Sequence, residues 1–171
     1  MQIQACQAGA PEWFATQVRV GREHSCARHL RMRGYEVFLP CFLQNRRWSD
    51  RVKTIHRALF AGYVFCRVSS ETVAKIVTTP GVVRIVGDGR RAVPVPADEI
   101  AAVQRIVDAG LAVEPWPFLQ TGQCVRIGVG PLRGTEGVVV ESRNSQRVVV
   151  SISLLRRSVA VEVDAEWVRV Q

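Results

Sequence analysis

The chain has 171 residues, 47% hydrophobic and 22% charged. That composition excludes a disordered chain and gives one or two small domains enough core to fold without a metal or disulfide staple. The longest run without a charged side chain is 11 residues; a membrane-spanning helix needs about 20 apolar ones, so no transmembrane segment fits.

The net charge is +8, and only Lys53 and Lys75 among the 23 basic residues are lysine. An arginine-rich surface points to a polyanionic partner. The charge is uneven: residues 1–110 carry +7 and residues 111–171 carry +1. The opening MQIQACQAGAPEW has neither a basic n-region nor an apolar h-region, so no secretory signal is expected. The cysteines Cys6, Cys26, Cys41, Cys66 and Cys124 are odd in number, widely spread and free of any CxxC pair. They predict reduced, mostly buried thiols in a cytoplasmic protein, not a disulfide framework or a zinc site.

In chain order, Trp13–Val18 is apolar and aromatic and predicts a strand. Glu23–Arg33 predicts a short amphipathic helix with arginines 22, 28, 31 and 33 on its outer face and Gly34 at its C-cap. Tyr35–Leu43 reads as a second strand with a bend at Pro40. Asn45–Arg57 is a polar, basic loop or loose hairpin. Leu59–Val68 is apolar almost throughout, as a central strand would be. A helix is expected over Ser70–Thr79, stopped by Pro80-Gly81, and a strand over Val82–Val86. A turn follows at Gly87-Asp88-Gly89, with a short extra strand over Ala92–Val95. Ala97–Ala109 is the clearest helix, with Ile100, Val103, Ile106 and Val107 on one face and Gly110 at its end. The order β-α-β-β-α-β-α matches the split βαβ, ferredoxin-like pattern.

Residues 111–121 hold Pro115 and Pro117 and read as a linker. Beyond them the pattern turns to short β-branched strands: Cys124–Ile127, Gly137–Ser142, Arg147–Ser153, Val159–Val163 and Trp167–Val170. Five strands in so short a span predict a small closed barrel. The expected class is therefore α+β, with an N-terminal domain over 12–110, a linker over 111–121 and a β-barrel over 122–171.

Signs of catalysis are few. His24 and His29 stand five apart, about 500° around a helix, whereas a two-histidine metal pair prefers a spacing of four. With Cys26 they read as ordinary helix side chains, and no metal is expected. No P-loop, GxGxxG or GxSxG occurs. Nothing local sets a base against a thiol. The adjacent pair Asp98-Glu99 suits the first turn of a helix. Neither an enzyme nor a cofactor is expected.

Two segments are more informative. Gly122–Val139, GQCVRIGVGPLRGTEGVV, runs an alternating strand into glycine-rich turns and out into a second strand, and it resembles the KOW motif. Leu59-Phe60-Ala61-Gly62-Tyr63-Val64-Phe65 resembles the F-P-G-Y strand of NusG N-terminal domains, with Ala61 where proline is usual. Trp13-Phe14, Thr79-Pro80-Gly81-Val82 and the run Val93-Pro94-Val95-Pro96-Ala97-Asp98-Glu99-Ile100 have counterparts in the same order. Over residues 12–171 the chain is therefore similar to the NusG family of transcription elongation and antitermination factors. The basic hairpin and the Val-Pro-Val-Pro run lean towards the specialised RfaH/UpxY-like subgroup.

The resemblance implies a ferredoxin-like polymerase-binding domain and an SH3-like KOW barrel. It implies that Trp13, Phe14, Phe60 and Tyr63 line an aromatic depression for the clamp helices of the RNA polymerase β′ subunit; as plain core residues they would do no such thing. Thr72, Val73, Ala74 and Lys75 align with a contact to the β-subunit gate loop, and Thr72 and Lys75 are the candidates kept. Arg46, Arg47, Trp48, Arg51, Lys53 and Arg57 in the loop, with Arg22 and Arg28 on the first helix, would meet upstream or non-template DNA. In the barrel, Leu154 and Leu155, with Leu132, would contact termination factor Rho or a small-subunit ribosomal protein; Arg156 stands where the family has glycine. The implied protein is a monomer without membrane contact that suppresses pausing or termination. A ribosome or ribosomal-RNA binding KOW protein is the alternative, against which the near-neutral barrel counts.

Overall fold

The computed structural model describes residues 10–47, 52–118, 122–142 and 145–170. In chain order the elements are β1 (Glu12–Val18), α1 (Glu23–Met32), β2 (Glu36–Phe38), β3 (Cys41–Arg47), β4 (Val52–Ala58), β5 (Tyr63–Val68), α2 (Val73–Ile76), β6 (Val82–Ile85), β7 (Pro94–Val95), α3 (Ala97–Asp108), β8 (Val113–Trp116), β9 (Gln123–Ile127), β10 (Glu136–Ser142), β11 (Ser145–Ile152), β12 (Arg157–Val163) and β13 (Val168–Val170). They fall into two compact units. One gathers Met1–Leu39 with Gly62–Val95, the other Pro40–Ala61 with Pro96–Gln171.

The first unit is built on an antiparallel sheet of order β2-β5-β1-β6, with β7 also beside β1. With α1 joining β1 to β2 and α2 joining β5 to β6, this is the ferredoxin-like arrangement. The apolar stripe of α1 (Cys26, Ala27, Leu30) packs on Phe14, Val18, Val64, Cys66 and Val68 of the sheet and on Ile76 of α2. Leu30 and Ile76 are wholly buried, each worth about 1.5–3 kcal/mol over an exposed side chain.

Three local readings change. The expected strand Tyr35–Leu43 breaks at Pro40, whose missing N–H cannot continue a ladder. The expected strand Leu59–Val68 begins only at Tyr63, because Gly62 turns at φ +83°. The helix expected over Ser70–Thr79 shrinks to the four residues of α2. Its surroundings are rich in β-branched residues, and the Thr78 hydroxyl donates to the Lys75 carbonyl at 2.8 Å, competing with the helix ladder.

In the second unit β3 and β4 form a regular hairpin, paired from Cys41↔Ala58 to Arg47↔Val52, where a loop or loose hairpin was expected. On α3, Ile100, Ala102, Val103 and Ile106 are buried. The remaining strands make one sheet of order β13-β9-β10-β11-β12-β8. Five of them fall where the sequence puts them. The sixth, β8, lies inside the segment read as a linker and pairs antiparallel with β12. The division at 110 and 122 drawn from the sequence thus differs from the compact units, in which 40–61 and 96–121 go with the barrel. A methyl on Gly137 would come 2.6 Å from both Val148 Cγ1 and the Val149 carbonyl, so glycine is needed where β10 crosses β11.

Candidate functional site

Successive residues of a strand face opposite sides of a sheet, and β1 divides its aromatics accordingly. Phe14 faces α1 and lies in the core with Cys26 and Leu30. Trp13 faces the other way, its ring edge-on to Phe38 of β2 at 6.3 Å between centroids, and Phe38 sits 6.1 Å from Phe65 of β5. Tyr63 is two residues before Phe65 and shares its face. The structure therefore groups Trp13, Phe38, Phe65 and Tyr63 on one face and sets Phe14 apart. Phe38 and Phe65 were missed in the sequence; the alternation along β2 and β5 was the signal that could have found them. Trp13, Phe14, Phe60 and Phe65 are buried, and Tyr63 is half-buried. Tyr63 and Phe38, which is likewise half-buried, are thus the members of the set that keep accessible surface.

The turn before Tyr63 is held by a residue that the sequence reading overlooked. Glu23, on the first turn of α1 and only 6% exposed, accepts a hydrogen bond from the Gly62 N–H at 2.8 Å. The Gly62 carbonyl in turn accepts from the Val18 N–H at 2.8 Å. Gly62 is left-handed, and a methyl there would also meet Val20 Cγ2 at 3.3 Å. A buried carboxylate and one backbone bond thus fix the geometry with which the chain enters β5.

Arg22 and Arg28 are exposed on α1. Arg22 borders a cleft of about 390 Å³ lined also by Arg19, Ser25, Cys26, His29 and the Pro80–Val82 turn. His29 Nδ1 is buried there without a hydrogen-bond partner among the described residues. Arg19 was not singled out in the sequence. Arg31 and Arg33 serve the fold instead: Arg31 donates to the Val37 carbonyl at 3.3 Å, and Arg33 to the hydroxyls of Thr78 and Thr79 at 3.0 and 2.7 Å. The arginine-rich face of α1 is therefore part structural and part free.

On the hairpin, the backbone register pairs Arg46 with Lys53 and Phe42 with Arg57. Lys53 and Arg57 are exposed and share one face of the ribbon, with Arg57 donating to Gln44 Oε1 at 3.0 Å. Trp48 and Arg51 lie outside the described residues. Thr72 immediately precedes α2 and is half-buried, its hydroxyl 3.0 Å from that of Ser69, and Lys75 is exposed.

In the barrel, Leu154 and Leu155 sit half-buried on a short 3₁₀ turn, Ser153–Leu155. Arg156 closes that turn in the left-handed region, φ +49°. Leu132 is fully buried and belongs to the barrel core, not to a contact surface. Burial pushes the Cys66 thiol up to about 12 and raises that of Cys26; Cys6 lies outside the described residues. The expectation of mostly buried thiols meets a mixed picture, with Cys26 and Cys66 buried, Cys41 half-buried and Cys124 exposed.

Comparison with known proteins adds an independent line. The family model for transcription termination factor nusG matches residues 11–104. A NusG transcription termination/antitermination protein of Helicobacter pylori is 25% identical, over 89% of this chain and 94% of its own length. The same protein of Thermus thermophilus is 26% identical, over 90% and 95%. The solved structure showing domain interaction in Thermotoga maritima NusG superposes with a TM-score of 0.54 at 21% identity, covering 95% of this chain and 98% of that one, and supports the fold.

Proposed function

The chain belongs to the NusG family of transcription termination and antitermination factors, and on that premise we propose that it binds elongating RNA polymerase through its first sheet and recruits a second partner through its barrel. The observation that carries the reading is the aromatic face of Trp13, Phe38, Phe65 and Tyr63, with Tyr63 at its accessible end beside the turn that Glu23 holds. Aromatic anchors dominate binding energy at protein interfaces, and tyrosine keeps a polar handle for a wet rim. A pair of helices such as the β′ clamp helices fits this chemistry. Phe14 supports that face from beneath, and Phe60, buried two residues before Gly62, is core. Thr72 and Lys75 stand at α2 for a gate-loop contact.

The action is mechanical. A protein bound to the clamp and to a second polymerase element holds the clamp shut and disfavours pausing and termination. Arg19, Arg22 and Arg28 beside α1, and Lys53 and Arg57 on the hairpin, would follow a phosphate backbone, a reading supported by their charge. Leu154 and Leu155 supply apolar contact for Rho or a ribosomal protein. Two linked sites raise the local concentration of the second partner at the first. The lean towards a specialised subgroup is carried by the hairpin and the Val-Pro run alone. A ribosomal-RNA role is less well supported, because residues 111–171 carry only +1.

The test is binding of the full chain to purified bacterial core RNA polymerase. Tyr63→Ala should weaken it by about 1–3 kcal/mol, the range of an aromatic hot spot. Equal affinity of variant and parent would remove Tyr63 from the interface, and absence of binding by the parent would end the reading.

A further inference from the structure

The barrel's outermost strand is the one that no sequence signal predicts. β8 has four residues, Val113-Glu114-Pro115-Trp116, laid antiparallel on β12 in the register Val113↔Val161, Glu114↔Ala160, Pro115↔Val159, Trp116↔Ser158. On its other side β12 pairs with β11 over seven residues, from Gln146↔Val163 to Ile152↔Arg157. Backbone holds β8 weakly by comparison, because it is short. Pro115, opposite Val159 at a non-hydrogen-bonded position, costs no bond to β12 and has no N–H to offer a further strand on the outer edge. Glu114 and Pro115 are exposed, and Val113 and Trp116 only half-buried. The seam is loosely filled, with a cavity of about 140 Å³ lined by Ala112, Val113, Glu114, Arg147, Ala160 and Glu162.

One side chain gives the seat its specificity. Arg147, on β11, donates to Glu114 Oε1 at 2.7 Å, and its guanidinium carbon lies 5.5 Å from the centre of the Trp116 ring. A single arginine thus reads an acid and an aromatic two residues apart on an extended segment. Two residues further on, Phe118 lies under the Arg156 guanidinium at 5.6 Å. Arg156 closes the turn that carries Leu154 and Leu155. The segment from Val113 to Phe118 therefore runs along the edge of β12 and ends at the proposed partner loop.

We infer that residues 113–118 are a displaceable strap on a strand-addition site, and that this site receives an extended protein segment bearing an acid and, two residues later, an aromatic. The strap is the internal stand-in for that segment. Strand addition supplies the backbone bonds and Arg147 the selectivity. While the strap is seated, it hides the edge of β12 and covers the flank of the leucine loop; a partner must displace it against the high local concentration of a tethered competitor. The inference rests on the reading that the barrel recruits a partner, but the test below requires no such partner.

Backbone amides alternate along β12. The Glu162 N–H points to the Ala112 carbonyl, 3.3 Å away, so those of Ser158 and Ala160 point to β8 as well, and those of Val159 and Val161 point to β11. Hydrogen exchange of the full chain separates the two sets. In Glu114→Ala/Trp116→Ala the amides of Ser158, Ala160 and Glu162 should exchange at least about tenfold faster, while Val159 and Val161 keep their protection. A synthetic peptide of residues 111–118 should then restore protection in the variant and bind the parent at least about tenfold more weakly. Unchanged exchange at the outer amides would show that the strap does not guard this edge. Equal loosening of both sets would make β8 an integral barrel strand. Failure of the peptide to protect the variant would show that the edge takes no segment in trans. Each of these three results overturns the inference. Should polymerase or barrel partners fail to bind while the exchange results hold, the functional reading falls and the strap stands.

Discussion

A carboxylate left 6% exposed on the first turn of α1 gives Gly62 its acceptor, and the turn leading to Tyr63 depends on it. Removing that acceptor strands a buried N–H, at a cost of about 1–3 kcal/mol. Glu23→Ala should therefore lower stability by that amount in urea unfolding, with Glu23→Gln losing less because an amide oxygen can still accept. Equal stabilities for all three chains would show that water replaces the bond. The thiols make a second prediction. Burial pushes Cys66 up to about 12, while an unfolded thiol ionises near pH 8.5. Above that pH the unfolded chain gives up its proton first, so stability should fall as pH rises from about 8.5 towards 12. Cys66→Ala should flatten that alkaline slope. At pH 8, iodoacetamide should label exposed Cys124 ahead of Cys26 and Cys66; early labelling of Cys66 would contradict its burial.

Among the elements, the turn carrying Leu154 and Leu155 is under strain. Arg156 takes the left-handed conformation at φ +49°, which costs an L-residue with a side chain about 1–2 kcal/mol. Arg156→Gly relieves that cost and forfeits the stacking on Phe118, so a net gain of about 1 kcal/mol is expected in thermal unfolding. A lower melting temperature would mean that the Arg156–Phe118 stacking outweighs the strain. The β3–β4 hairpin poses a different question. Its register puts a basic pair, Arg46↔Lys53, near the tip. Reversing Lys53 and Arg57 to glutamate should reduce the salt slope of nucleic-acid binding by about 0.9 for each phosphate no longer neutralised. An identical slope would identify them as solvated bystanders.

For the whole molecule, the charge differs between residues 1–110 and 111–171, +7 against +1. The proposed function assigns polyanion binding to the first stretch and protein recruitment to the near-neutral barrel. Full-chain binding to a DNA duplex should fall steeply between about 50 and 200 mM salt, as it does for any protein that neutralises several phosphates. A flat response would remove nucleic acid from the set of partners.

By itself the sequence determined whatever depends on near neighbours. Alternation of Val and Ile between glycine-rich turns placed β9 to β13, and a 3.6-residue period ending at Gly110 placed α3. The βαββαβ order, once legible, gave the ferredoxin-like sheet, and the Leu59–Phe65 and Gly122–Val139 motifs gave the family. Only the tertiary structure decided the rest, because those features depend on residues far apart in the chain. Glu23 meets Gly62 across 39 positions and Arg147 meets Glu114 across 33, distances over which no local pattern carries a signal. A segment with two prolines reads locally as a linker; an unpaired edge on β12 makes part of it a strand. Period two already said that Trp13 and Phe14 part company, but the packing of α1 chose which of them faces the helix, since burial of Cys26, Ala27 and Leu30 requires an apolar partner on that side of the sheet.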